Sequence, residues 1–424
     1  MTTATTIVNA RVFDGASLSA CTSVRFADGR ITDCSSVSAA RNGDEVVDAR
    51  GGTLLPGLID AHVHLVAGAL AQSLSFGVTT VLDMFSLPDT AAEAKTQARR
   101  RTDVADLRSS GIGATAPGGH PSAMYPPFPT LAGPHQAEEF VAGRVAAGAD
   151  YLKVMSGTGG RWPALDPATL GALVAAAHRR GLTVVGHVNS VAGLGEVVAA
   201  GVDVVAHVPF DGRIGSTLVE RIAAAGIAVG PTLATAENTL GERGGAALLA
   251  DPRLAAPLGE WARRLAQSAS GPNFGRRLPA YSRAEENVRL LADAGVALLA
   301  GTDAPNPGTV FGASLHRELE LLVRAGLTPV QALAAATSEP ARVFGLADRG
   351  RVAAGLRADL MLVAGDPLAD ITATRAIARI WRDGVRLDRR PFEPTAAEAA
   401  QLDAFDARIA AVVAAVRGGA TGAG

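Results

Sequence analysis

Through the middle of the chain, roughly residues 56–350, short apolar runs alternate with longer stretches of helical periodicity. The runs at 58–64, 78–84, 111–116, 151–156, 183–188, 202–208, 228–233 and 297–303 predict the strands of a parallel sheet. Ala-rich amphipathic segments such as 166–180 and 190–200 predict the helices between them. Eight strand–helix units suit an α/β fold closed into a (β/α)8 TIM barrel better than an open doubly wound sheet. No Gly-x-Gly-x-x-Gly opens the first βα turn, which counts against a dinucleotide site. The two ends of the chain have a different texture. Residues 1–55 and 351–390 read as short strands broken by Asp14-Gly15, Asp28-Gly29 and Asp383-Gly384 turns. A small domain split between the termini, around a central barrel at 56–350, accounts for both. Segment 234–282 is too long for an ordinary βα loop and predicts a helix of its own at the pocket wall. Within 391–424, residues 395–416 predict a terminal helix and Gly418–Gly424 a frayed tail.

Composition narrows the class. The 424 residues are 48% hydrophobic and 19% charged, enough to bury a large core. A net charge of -2 gives no basic excess for a nucleic acid or an anionic membrane, and 4% aromatics leave few platforms for bases. No apolar run approaches the ~18–20 residues that span a bilayer. The N-terminus shows no basic region followed by an apolar stretch. Cys21 and Cys34 are too few for a disulfide framework or a Cys-based metal site. These bounds lead us to expect a soluble, cytoplasmic protein acting on a small molecule. One oddity matters: only 2 of the 39 basic residues, Lys95 and Lys153, are lysines. A lysine kept in an apolar strand of so Arg-rich a chain suggests amine chemistry that a guanidinium cannot supply.

The ends of the predicted strands collect the reactive side chains. The first closes on Asp60-Ala-His62-Val-His64, whose i, i+2 histidines can reach one ion. The fourth carries Lys153, the fifth His187, the sixth His207, and the eighth ends on Asp303. Each alone has a plain structural explanation: a hydrogen-bonded core histidine, a lysine snorkelling to the rim, an acid capping a helix before Pro305. Together they fall at the same end of different strands, where a barrel gathers its active site. Burying so many ionisable groups without a metal costs several kcal/mol each.

These residues resemble those of the amidohydrolase superfamily of metal-dependent hydrolases, in its imidazolonepropionase-like and Xaa-Pro dipeptidase-like branch. Pro56-Gly-Leu-Ile-Asp-Ala-His-Val-His64 and Ala300-Gly-Thr-Asp-Ala304 carry the likeness, supported by Gly77–Val81, Gly148–Lys153 and Gly355–Leu360. The resemblance implies a small β-sandwich formed by both chain ends beside the barrel. It implies His62, His64 and Asp303 as ligands of a more buried metal, and His187 and His207 as ligands of a more exposed one. Lys153, carbamylated by CO2, would bridge the two; Zn2+ is expected, and Mn2+ or Co2+ fit the same donors. Asp303 would then move a proton from a bridging hydroxide to the leaving group. Members of the family are often homo-oligomers, and the Ala-rich terminal helix offers a surface for such a contact.

Substrate residues are less clearly marked. His120, in Gly118-Gly-His-Pro121, resembles a substrate-side histidine of the peptidase-like relatives. Tyr125 and Arg161 lie in neighbouring loops, Arg161 able to pair with a carboxylate. Asn189 and His316 follow strands five and eight. His178 reads as structural at a helix C-terminus, and His135 as exposed. Only 12 residues separate His64 from Gly77, a first loop shorter than relatives lead us to expect. It would leave the site open on that side and admit bulkier or aryl-bearing amides. Three functions compete: a binuclear hydrolase of an N-acyl amino acid, dipeptide or aryl amide (or of a lactone or carbamate), a mononuclear deaminase of an amino-heterocycle, and a non-catalytic scaffold. Lys153 favours the first.

Overall fold

A computed structural model describes residues 4–122, 124–156, 162–268 and 281–420. Near the termini, alternating side chains build two facing sheets. One runs in the order 30–35, 23–27, 5–8, 45–48, and the other 385–386, 377–382, 360–363, 53–56, 11–12. The second joins the chain ends: Leu360 to Val363 pair antiparallel with Pro56 to Thr53. Val24 and Phe26 point inward with Ile7, Leu54, Leu360 and Trp381, and Phe26 meets Trp381 edge-on at 5.7 Å. Asp28-Gly29 and Asp383-Gly384 are both left-handed at both positions, as a two-residue hairpin between right-twisted strands requires. Cys21 and Cys34, their Cα atoms 5.7 Å apart, are joined as a disulfide, a single bridge and no framework.

Among the described residues, the central unit holds seven parallel strands. Strands β1 (Leu58–Val63), β2 (Val78–Asp83) and β3 (Asp106–Ser109) form one run, and β4 (Leu152–Met155), β5 (Val184–His187), β6 (Val204–Ala206) and β7 (Ala228–Gly230) another. Isolated parallel bridges connect them: Ala114 with Val154, Val229 with Leu298, and Val63 with Ala304. Ile59, Leu82, Tyr151, Val185, Val204, Ala228 and Leu299 share one apolar cluster in the interior of this unit.

Two expectations shift. The third strand lies at 106–109, upstream of the expected 111–116, which contributes only the bridge at Ala114. Asp106 and Arg108 make that strand look polar, yet Asp106 is buried against Arg349 at 2.5 Å and Arg357 at 3.3 Å. The eighth segment, 297–303, is not a continuous strand. It follows its neighbours through single contacts, such as Ala61 N to Ala300 O (2.9 Å) and Asp303 N to His62 O (2.7 Å).

Segment 234–282 predicts one helix, but among its described residues four are found, at Leu233–Thr239, Gly244–Ala250, Pro252–Ala255 and Glu260–Gln267. The terminal helix runs Ala396–Ala420 and opens on a reciprocal cap, with Thr395 Oγ1 accepting from Glu398 N and Glu398 Oε2 from Thr395 N. It packs against its own chain. Leu402 is buried, Trp261 Nε1 donates to the Asp406 carboxylate at 3.2 Å, and Arg264 lies 3.7 Å from Asp403. Among the described residues no helix is long and apolar enough to cross a membrane.

Candidate metal centre

His62, His207 and Asp303 place ligand atoms within 4.8 Å of one another. The Asp303 carboxylate is the hub, with Oδ1 lying 3.3 Å from His62 Nε2 and 3.0 Å from His64 Nε2. The His207 ring stands 4.7 Å from that of His62 and 4.6 Å from that of His187. His120 stacks on His187 at 5.1 Å. No helix begins at Asp303; the next starts at Ala313, so this acid does not cap one. Lys153 is 1% exposed, and its Nζ has no hydrogen-bond partner among the described residues.

The protonation states follow from burial. Loss of solvent, with Lys153 and neighbouring imidazoles nearby, holds His62 well below its usual pKa. Burial takes His207 to about 3 and His120 to about 4, and lowers His187 likewise. The imidazoles of His62, His120, His187 and His207 are therefore neutral, each with a free lone pair. Burial lowers the Lys153 amine to about 7. At Asp303 burial pushes the carboxyl up, but the bond from His64 and the surrounding bases outweigh it and leave the group ionised.

Neighbouring hydrogen bonds select the tautomers. Thr232 Oγ1 donates to Pro231 O (2.8 Å) and so accepts from His207 Nδ1 (2.7 Å), which frees His207 Nε2 as a ligand. His187 Nε2 donates to Asn189 Oδ1 at 3.0 Å, which frees Nδ1. His64 Nδ1 is buried without a hydrogen-bond partner among the described residues. Neutral imidazoles, one carboxylate and an unpartnered buried amine form a donor set that fits divalent cations of the Zn2+ class.

Strict alternation along β6 would carry His207 to the outer face with Val205. A left-handed φ of 72° at His207 breaks the alternation and turns the ring inward. Thr232, β-branched, is also left-handed at φ 52°, a conformation that costs about 1–3 kcal/mol. The Glu318 carboxylate, buried and raised to about 8 by desolvation, sustains it by accepting from Leu233 N (3.0 Å) and Ala234 N (2.7 Å). Asp60 ties the ligands at the other side, taking bonds from His62 N (3.2 Å), Thr302 N (3.0 Å) and Thr302 Oγ1 (2.7 Å). Glu318, inside the Ala313–Arg324 helix, carries no strand-end signal and escapes a reading of the sequence, whereas Thr232 closes the expected 228–233 strand but is not a residue type that ligates metal through a ring or carboxylate. Asp60 stands inside the first motif, so position alone could have flagged it.

Gly301 shows why this corner needs a glycine. A Cβ there would lie 2.9 Å from His62 Cβ and 3.0 Å from the His62 backbone N, atoms held by the strand that cannot easily yield. Gly301→Ala is expected to weaken metal binding by about 10–100-fold with little change in secondary structure. Metal titration beside circular dichroism checks this; undiminished affinity would show that the close approach is not needed.

Among the substrate-side residues, His120 and Asn189 are brought to the cluster. Tyr125 packs on Phe85 at 4.4 Å and lines a cavity with His64. Arg161 lies outside the described residues. The expectation that His316 binds substrate does not hold. Its Nε2 donates to Phe76 O (2.9 Å), its Nδ1 meets Thr374 Oγ1 (3.0 Å), and full burial leaves no free nitrogen. His178 holds Asp203 at 3.0 Å, and His135 is exposed. The open side expected beside the short first loop is covered. A Cβ at Gly68 would strike the Phe392 ring at 2.2 Å, and Phe405, Arg408 and Ile409 of the terminal helix share the cavity beside His64.

Imidazolonepropionase of Deinococcus deserti is 40% identical over 103 residues, 23% of this chain and 26% of that protein. The chain thus spans about a quarter of the length of the imidazolonepropionases it matches. A putative prolidase from Bifidobacterium longum superposes with a TM-score of 0.72 at 23% identity, over 95% of this chain and 99% of that one. Molinate hydrolase does so with a TM-score of 0.71 at 20% identity, over 93% and 98%. At these identities the structural likeness speaks for the fold, an α/β barrel with a small domain. The sequence of residues 53–387 matches the amidohydrolase family, most of the chain and all of the clustered histidines included, and the chain belongs to that family.

Proposed function

We propose that this chain is a metal-dependent hydrolase that cleaves an amide bond of a small molecule, an N-acyl amino acid, a dipeptide or an aryl amide. His62, His64 and Asp303 would hold one divalent cation, and His187 and His207 a second. Lys153 would bridge them as a carbamate, and the ring of strands and bridges would close as a (β/α)8 barrel in a cytoplasmic enzyme. The observation that carries this reading is the Lys153 amine, buried without a hydrogen-bond partner among the described residues, beside neutral imidazoles and an ionised carboxylate. Its neutral form attacks CO2, the C–N bond forms, one proton leaves, and a carboxylate stands where an arginine could not make one.

When bound, a divalent cation pair supplies Lewis acidity, acidifying water and polarising the scissile carbonyl. The protein does the rest. Asp303 Oδ1 takes a proton from the attacking water and returns it to the leaving nitrogen. Thr232 and Asn189 hold two imidazoles in the tautomers that ligation requires. His120, neutral and beside His187, is placed to hydrogen-bond the substrate.

A mass-spectrometric screen of the Zn2+-loaded protein, with a chelated control, tests the reading. The panel holds Xaa-Pro and other dipeptides, N-acyl amino acids, aryl amides, lactones, carbamates and amino-heterocycles. Chelator-sensitive amide cleavage is expected. Ammonia released from a heterocycle, or no turnover by fully metallated protein, would overturn it.

A further inference from the structure

We infer that Arg408, on the terminal helix, reads a carboxylate at the far end of the substrate, so that the preferred amides carry an apolar body and a distal acid. This rests on the metal-centre reading above and specifies its substrate.

A cavity of about 290 Å3, the small end of the usual range for ligand pockets, opens beside His64. Its walls are largely apolar, with Leu87 and Tyr125 on the barrel side and Phe405 and Ile409 on the helix side. Arg408 completes the wall. It donates to Met124 O at 3.2 Å through Nη1, and no carboxylate partners it among the described residues. Its charge also acts on Tyr125, across the pocket from the helix. An imidazole of the candidate metal centre and a cation free of an acidic partner thus line one cavity, with apolar side chains between them. A neutral aliphatic amide would leave the guanidinium unanswered, whereas a carboxylate accepts two of its parallel N–H bonds. The helix is fixed in place by Leu402, Trp261 and the Thr395–Glu398 cap, so the cation is held over the cavity by a docked element.

The test uses two probes that carry a metal-binding hydroxamate at one end: phenylacetohydroxamic acid with a para-carboxylate, and the same molecule with a para-carboxamide. Calorimetry on the Zn2+-loaded full-length protein should find the carboxylate bound about three- to fivefold more tightly, because a charge-assisted pair at an exposed side chain is worth about that much. Added salt should shrink the difference. In Arg408→Met the difference should fall below about twofold, with metal content unchanged and the carboxamide affinity held. Arg408→Lys should keep part of it. Equal affinities in the native protein, or a preference that survives Arg408→Met, would overturn the role of Arg408. If neither hydroxamate binds the fully metallated protein, the metal-centre reading falls and takes this one with it.

Discussion

Lys153→Arg should yield a folded protein whose kcat/KM on its best amide is lower by about 10^3-fold or more, equivalent to ~4 kcal/mol of transition-state stabilisation. The lysine is 1% exposed, its amine is without a hydrogen-bond partner among the described residues, and burial brings its pKa to about 7. A guanidinium stays protonated and cannot add to CO2, so the variant keeps a positive charge where the proposed bridging carboxylate would stand. Gly113 lies against the lysine stem, where even a Cβ would sit 3.4 Å from Lys153 Cγ, so the larger group has little room. Lys153→Met, apolar and of similar length, separates loss of the bridge from crowding and should lose activity as severely. Bound metal per chain should fall in both. After incubation with 13C-bicarbonate, a carbamate carbon signal should appear only in the native protein. Turnover retained by either variant would remove the carbamate from the mechanism.

Asp303→Asn should lower kcat by about 10^2–10^4-fold while removing a smaller share of the metal, since general acid–base transfer accounts for rate factors of that size. Oδ1 meets both His62 Nε2 and His64 Nε2, so the residue can serve as ligand and as proton carrier. An asparagine keeps an oxygen in place as a neutral ligand but cannot hold the proton. Metal content, measured beside kcat on the same preparation, distinguishes the roles. Rate and metal falling in equal proportion would leave ligation as the whole effect.

Much of the chemistry was legible because its residues lie at strand ends, where a period-two apolar run stops. His62 and His187 could be read that way, and Asp303 was found by the same pattern although its segment forms single bridges rather than a continuous strand. His207 could be placed at the end of its strand, but not turned inward, because its orientation depends on a left-handed φ that no apolar pattern encodes. The third strand was misplaced because Asp106 and Arg108 read as exposed, and only the fold brings Arg349 from 243 positions away to neutralise Asp106. His316 was misassigned for the opposite reason. A histidine after the eighth segment looks free to hydrogen-bond a substrate until Phe76 O, distant in sequence, accepts its Nε2–H. Arg408 could not be found at all, since nothing local tells where an Ala-rich helix will dock.

The bond between Thr302 N and Asp60 joins residues 242 positions apart, and it lies directly behind the ligand set. A chain leaving the ribosome therefore exposes its first two histidines long before the acid that completes their site has been made. Contacts of such high sequence separation form late, after the loop entropy of the intervening barrel has been overcome. On the proposed ligand set, tight metal capture would thus belong to the final stage of folding, and a cation bound there would stabilise the folded chain against reopening. The proposed hydrolytic pocket would then serve as the clasp of the fold as well.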